Sequence, residues 1–183
     1  MRDYTVRRID SVTGAQLHGL AELLCDCVEG GASVSFMQPF SKDKALDFWR
    51  GVADGVRRGE RALLVAEDET GVLGTVQLVL AQPDNQPHRA DVAKMLVLRR
   101  ARKRGLGAAL MDAAERAARD FGKTLLVLDT SSAEAERLYE RMGWRRVGVI
   151  PGYALLPQGG FCDTAYYYRL LSERVQTAAM TEK

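Results

Sequence analysis

Three cysteines and two histidines are all that 183 residues offer toward metal or redox chemistry. Cys25, Cys27 and Cys162 are odd in number and lack the spacing of a zinc site or a disulfide framework. Cys25 and Cys27, two apart on a helix, do not face each other. This predicts reduced thiols, an intracellular, cytoplasmic protein and no bound metal. His18 and His88 are far apart, with no metal motif around either. No apolar run is long enough to span a bilayer, and the stretch from Met1 to Arg8 is too charged for a signal peptide. The net charge is only +2, so any basicity is local, which argues against general nucleic-acid binding. There is no internal repeat and no linker. With 46% hydrophobic residues, the expectation is one globular domain over residues 1–172 and a polar tail over 173–183.

The local basicity sits in Arg99-Arg100-Ala101-Arg102-Lys103-Arg104, followed by Gly105-Leu106-Gly107. It joins a strand-like run to a segment with Leu106, Ala109, Leu110, Ala113 and Ala117 at helical spacing. Glycines where a basic loop becomes a helix let the backbone approach a ligand, and the free N–H groups there attract an anion. A phosphorylated ligand is the expectation. A P-loop would need a Gly-Lys-Ser/Thr ending and a dinucleotide fold three glycines after the first strand, and both are missing. The loop also lacks the interleaved aromatics of a single-strand nucleic-acid platform.

Capping and periodicity supply the rest. Tyr4–Ile9 reads as a strand. Thr13-x-x-Gln16 is a capping box opening a helix that Gly30 and Gly31 end, and Ser41 caps a second helix closed near Gly59. Two strands, Ala62–Glu67 and Val72–Ala81, flank Asp68-Glu69-Thr70-Gly71 as a hairpin. A loop over Gln82–His88 leads to a fourth strand, about Arg89–Leu98, then the basic loop and third helix. Thr124–Asp129 reads as a strand buried on both faces. Ser131-x-x-Glu134 reads as another capping box for a helix stopped by Gly143. Trp144–Ile150 and Thr164–Leu170 form a last strand pair around the Pro151–Gly160 connection.

Arg102-x-x-Gly105-x-Gly107 after the fourth strand resembles the pyrophosphate loop of the GNAT superfamily of acetyl-CoA-dependent N-acetyltransferases. Ser132-x-x-Ala135-x-x-Leu138-Tyr139-Glu140-x-x-Gly143-Trp144 is similar to a second segment of that family, with Ser132 where asparagine is usual. The element order matches along nearly the full length. The resemblance implies an α+β fold with a mixed, mostly antiparallel six- to seven-stranded sheet, four helices, and strands four and five splayed apart. It implies acetyl-CoA as co-substrate, its pantetheine arm against the backbone of Met95, Leu96 and Val97. Its pyrophosphate would lie on Arg102, Lys103, Arg104, Gly105, Leu106 and Gly107, with Ser132 and Tyr139 nearby.

Tyr139 matches the family tyrosine that protonates the leaving thiolate, although without the Arg102–Gly107 motif its place on a face with Leu138 and Met142 favours a core tyrosine. Asp91, eleven positions before Arg102, stands where several members carry a strand-four base. On an unbroken strand it shares a face with Ala93, Met95 and Val97, and it could equally pair with Arg89 or Lys94. Asp129 is the second carboxylate, base or acceptor ligand, or a plain turn residue. Gly31, Ser33, Phe36, Asp129 and Tyr153 are the acceptor-site candidates. Their segments resemble the tabtoxin-resistance group of the superfamily, which acetylates a β-lactam amino-acid toxin. The expected partner is a small, amino-acid-like or antimicrobial primary amine, attacking directly, with no nucleic acid and no membrane. A homodimer, a peptide acceptor and a non-catalytic CoA-sensing domain stay open.

Overall fold

The computed structural model describes residues 3–171, so the tail expected over 173–183 lies outside the described residues. The elements are β1 (Thr5–Ile9), α1 (Gly14–Glu29), α2 (Lys42–Arg57), β2 (Arg61–Asp68), β3 (Gly71–Val79) and β4 (Arg89–Val97). After a 3-10 turn at Arg99–Ala101 come α3 (Leu106–Asp120), β5 (Leu125–Thr130), α4 (Ala133–Arg141), β6 (Arg145–Leu155) and β7 (Phe161–Leu170). The strands form one seven-stranded sheet in the order β1-β2-β3-β4-β5-β7-β6. β4 and β5 are its parallel pair, and the other neighbours run antiparallel. This is the expected α+β architecture with its four helices.

Local chemistry explains the helix starts. Thr13 Oγ1 accepts from the Gln16 amide at 3.2 Å while Gln16 Oε1 accepts from the Thr13 amide at 3.0 Å. Ser41 Oγ accepts from the Lys44 amide at 3.2 Å. On α4 it is Ser132, not Ser131, that caps: its Oγ accepts from the Ala135 amide at 3.3 Å. Ser132 itself donates its amide to Thr130 Oγ1 at 3.1 Å, which turns the chain one residue later than the Ser131–Glu134 box predicts. α1 and α2 cover one sheet face with Leu20, Leu23, Leu24, Val28 and Trp49. α3 covers the other, where Ala113, Ala114, Ala117 and Ala118 keep the helix close, with Leu106, Leu110 and Met111 filling the interface.

Three further details differ from the expectations, and two of them shape the site. In β4, Gln77 pairs with Ala93 but Thr75 pairs with Leu96, so β4 carries one extra residue, and Lys94 there adopts φ +50°. Ala90 and Val92 pack on the α3 side, whereas Leu96 packs with α1 and α2. The bulge thus removes Asp91 from the face of Met95 and Val97. In β6, strand pairing resumes past Pro151-Gly152: Ile150 pairs with Thr164 and Ala154 with Cys162, so β6 carries two extra residues there. An edge strand tolerates that proline, and the Gly152 amide donates to Asp163 Oδ1 at 2.8 Å instead of to the ladder. Finally, only Leu126 and Leu128 of β5 are fully buried. Leu125 and Val127 are half-buried, because no β5 residue belongs to the core under α1 and α2.

Candidate active site

β4 and β5 pair only through Arg89–Leu125, Ala90–Leu126 and Asp91–Val127, then part. The gap opens into a cleft of about 1050 Å³ that runs from the α3 N-terminus to the β6–β7 hairpin. Its size suits an extended cofactor plus a small acceptor. Met95, Leu96 and Val97 line it, and main-chain groups of β4 facing β5 beyond Asp91 lack a strand partner there.

At one end the basic loop turns into α3. Gly105 is the N-cap at φ +81° with no side-chain cap, and the first helical bond runs from the Ala109 amide to the Gly105 carbonyl. The amides of Leu106, Gly107 and Ala108 therefore have no intrahelical partner and carry the positive end of the helix dipole. Ala101 is fully buried and pins the loop from beneath. Arg102, Lys103, Gly105, Leu106 and Gly107 line the cleft, while Arg104 stands outside it. Among the described residues, Arg102, Lys103 and Arg104 form no ion pair, and Arg102 Nε donates to the Val97 carbonyl at 3.4 Å. Arg99, chemically identical, is spent differently: it binds Asp26 at 2.8 Å and Glu29 at 2.6 Å, clamping α1 to the loop. Burial would raise the Asp26 carboxyl, but bonds from the Arg99 amide and guanidinium outweigh it and hold the group below its usual range.

Tyr139 lies between the cofactor end and the acceptor end. It is 4% exposed, packed on Trp144 and Tyr167 at 5.9 Å between ring centres, and it lines the cleft. Among the described residues no group hydrogen-bonds to its hydroxyl. Burial, reinforced by the negative charge of Asp129, pushes its pKa well above the ordinary phenol value, so it stays protonated at physiological pH. Ser132 also lines the cleft, although its hydroxyl already caps α4.

The acceptor end joins Asp129 to the loop after α1. Asp129, near the end of β5, accepts from Thr164 Oγ1 at 3.1 Å. Gly31, Ser33, Phe36 and Tyr153 all line the same space. Ser33 Oγ donates to the Leu155 carbonyl at 3.3 Å, which docks this loop against the β6–β7 hairpin. The Tyr166 hydroxyl donates to Tyr153 Oη at 2.9 Å; that bond first, then burial and Asp129, pushes its pKa up to about 12. Lys94, Ser35 and Thr164 face this region too: Ser35 and Lys94 lie in segments that carry the sequence resemblance without being singled out there, and Thr164 is a functional candidate that the sequence patterns do not mark. The three non-glycine residues with positive φ among the described residues, Ser35, Lys94 and Lys103, all line the cleft. Such backbone conformations concentrate at functional sites.

Asp91 is placed elsewhere. Its carboxylate forms an ion pair with Arg89 and accepts from Gln82 Nε2 at 3.2 Å, and it is not part of the cleft wall. The structure therefore brings Tyr139, Asp129, the acceptor residues and most of the phosphate loop together, while Asp91 and Arg104 are not on the cleft wall, although the charge of Asp91 reaches Tyr166.

Comparison with known proteins bears on the fold and the family. Residues 18–144 match the model of the Acetyltransferase (GNAT) family. The chain is 32% identical over 136 residues to an uncharacterized N-acetyltransferase from the hisH-hisA intergenic region of Azospirillum brasilense, covering 73% of this chain and 79% of that protein. An N-acetyltransferase from Staphylococcus aureus Mu50 superposes with a TM-score of 0.77 at 17% identity, over 92% of this chain and 99% of that one. A phosphinothricin acetyltransferase from Sinorhizobium meliloti, in complex with acetyl-CoA, superposes with a TM-score of 0.76 at 19% identity, over 93% and 89%. The described helices include none long and apolar enough to cross a membrane. The splayed sheet is the GNAT fold, and with a family match spanning its β4–β5 cleft the chain belongs to the acetyltransferase (GNAT) family.

Proposed function

We propose that this protein transfers the acetyl group of acetyl-CoA to a primary amine of a small acceptor in the cytoplasm, by direct attack in a ternary complex. Acetyl-CoA supplies an activated acyl thioester. The amides of Leu106 and Gly107, with Arg102 and Lys103, hold its pyrophosphate, and the open edge of β4 at Met95–Val97 holds its pantetheine arm. Arg104, outside the cleft wall, adds long-range attraction for the anion.

An ordinary amine is protonated at pH 7, with a pKa of about 10.4, and must lose a proton to attack. Asp129 takes that proton, directly or through water. Asp91 is the weaker choice, since Arg89 and Gln82 already occupy its carboxylate. The amine nitrogen bonds to the acyl carbon, the carbon–sulfur bond breaks, and Tyr139 donates its proton to the departing sulfur. Tyr139 regains a proton from solvent, so the balance is ammonium plus thioester to amide, thiol and one released proton. Ser33, Phe36, Gly31 and Tyr153 shape the acceptor end, consistent with an amino-acid-like or antimicrobial amine.

The observation that carries this reading is Tyr139, a buried phenol on the cleft wall whose hydroxyl has no hydrogen-bond partner among the described residues. Its test is free-thiol release from acetyl-CoA across a panel of amino acids, dipeptides, aminoglycosides and a lysine peptide. Turnover with at least one small amine, and no acetyl group left on the protein by mass spectrometry, is the expected result. A stable acetyl-protein, or no thiol release with any amine, contradicts it.

A further inference from the structure

We infer that Lys94 is an acceptor-binding residue whose ammonium holds a carboxylate on the substrate, making an amino carboxylate the substrate class of this enzyme. The inference rests on the acetyl-transfer reading above and goes on to the chemistry of the acceptor.

The β4 bulge puts Lys94 into the cleft at φ +50°, and Ser35, at φ +78°, meets it: Lys94 Nζ donates to Ser35 Oγ at 3.2 Å. Two non-glycine residues in left-handed conformations thus meet in a single hydrogen bond. The ammonium lies 6.0 Å from the Phe36 ring centre and 5.7 Å from that of Phe48. An ammonium has three donors. Ser35 uses one, the ring faces supply weak attraction, and among the described residues no carboxylate pairs with it. A half-buried, under-partnered cation is costly unless an anion arrives. Desolvation lowers its proton affinity while the charge of Asp129 pulls the other way, so the two charges feel each other across the cleft without an ion pair. The acceptor end therefore has two poles. Asp129 attracts the ammonium of an incoming zwitterion, Lys94 its carboxylate, and Phe36, Met37 and Tyr153 offer an apolar wall for its side chain.

The test is thiol release from acetyl-CoA with the set of L-amino acids, each beside its own carboxamide. The carboxamides carry the more readily deprotonated amine, so intrinsic reactivity favours them. The expected wild-type result is the opposite: kcat/KM at least ten-fold higher for the best acid than for its amide. Lys94→Met brings that ratio close to one, mainly through KM, and Lys94→Arg keeps part of it. Ser35→Ala, a second variant independent of the folding of the first, shifts the ratio the same way by a smaller factor. Acetyl-CoA affinity by calorimetry stays the same in all three. Wild type that prefers amides, a lysine peptide or aminoglycosides overturns the carboxylate anchor and leaves acetyl transfer standing. An unchanged ratio in Lys94→Met and Ser35→Ala overturns it as well. No thiol release from any amine overturns both readings together.

Discussion

Gly107 in the first turn of α3 faces Leu138 of α4: a Cβ at position 107 would stand 3.0 Å from Leu138 Cδ2. This contact joins the phosphate loop to the helix that carries Tyr139, so the two motifs meet across one gap. Alanine is about 1 kcal/mol better than glycine inside a helix, yet here its methyl occupies space beside the free amides and displaces Leu138. Gly107→Ala should melt no lower than wild type while its Kd for acetyl-CoA rises about ten-fold. Gly105→Ala behaves oppositely in stability, because φ +81° costs a side chain roughly 1–2 kcal/mol. Thermal melts and calorimetry on both variants separate the effects.

Asp26 fixes the loop through Arg99, and its carboxyl is held below the ordinary range. A group with a depressed folded pKa stabilises the protein above its unfolded value and loses that contribution as pH falls through the folded one. Arg99 is 45% exposed, so solvent screening limits the pair to about 1 kcal/mol. Asp26→Asn should lower the melting temperature at pH 7, and the difference from wild type should shrink near pH 3 and below.

Among the described residues the Tyr139 hydroxyl has no hydrogen-bond partner to orphan, so Tyr139→Phe should leave the melting temperature within a degree or two of wild type. Its kcat should fall about 100-fold, as for a removed general acid, with acetyl-CoA affinity unchanged. Because the phenol is pushed up by burial, it remains a proton donor well above pH 9. The alkaline side of the kcat profile should then show no loss attributable to it below about pH 10. Stopped-assay kinetics against pH check both statements.

The two carboxylates give contrasting variants. Asp129→Asn keeps the shape and the bond from Thr164 but cannot accept a proton, and kcat/KM should drop by roughly two orders of magnitude. Asp91→Asn loosens an ion pair with Arg89 outside the cleft and should change kcat/KM less than three-fold. Equal losses in the two would return Asp91 to the mechanism.

Much of this was legible in the residues, and what was not has physical reasons. Capping boxes and glycine stops are local chemistry, so Thr13, Ser41 and Gly143 marked their helix ends correctly. Four good cappers in a row, Asp129 to Ser132, left the α4 start ambiguous by one residue, decided by the bond from the Ser132 amide to Thr130. Lysine has no preference for left-handed backbone, so nothing at Lys94 announces the bulge that turns Asp91 away from Met95 and Val97. Arg99 and Arg102 are the same residue three positions apart. Only the fold, which brings Asp26 and Glu29 alongside, shows that one is a clamp and the other faces the cleft.

The central claim is that the loop at residues 102–107 grips the diphosphate of acetyl-CoA. Calorimetric titration of the purified protein with acetyl-CoA tests it most directly, with Gly105→Ala and Arg102→Glu alongside. Saturable uptake by the wild type at one site, weakened at least ten-fold in both variants, is the predicted result. No binding by the wild type at millimolar acetyl-CoA, or equal binding by all three proteins, contradicts it.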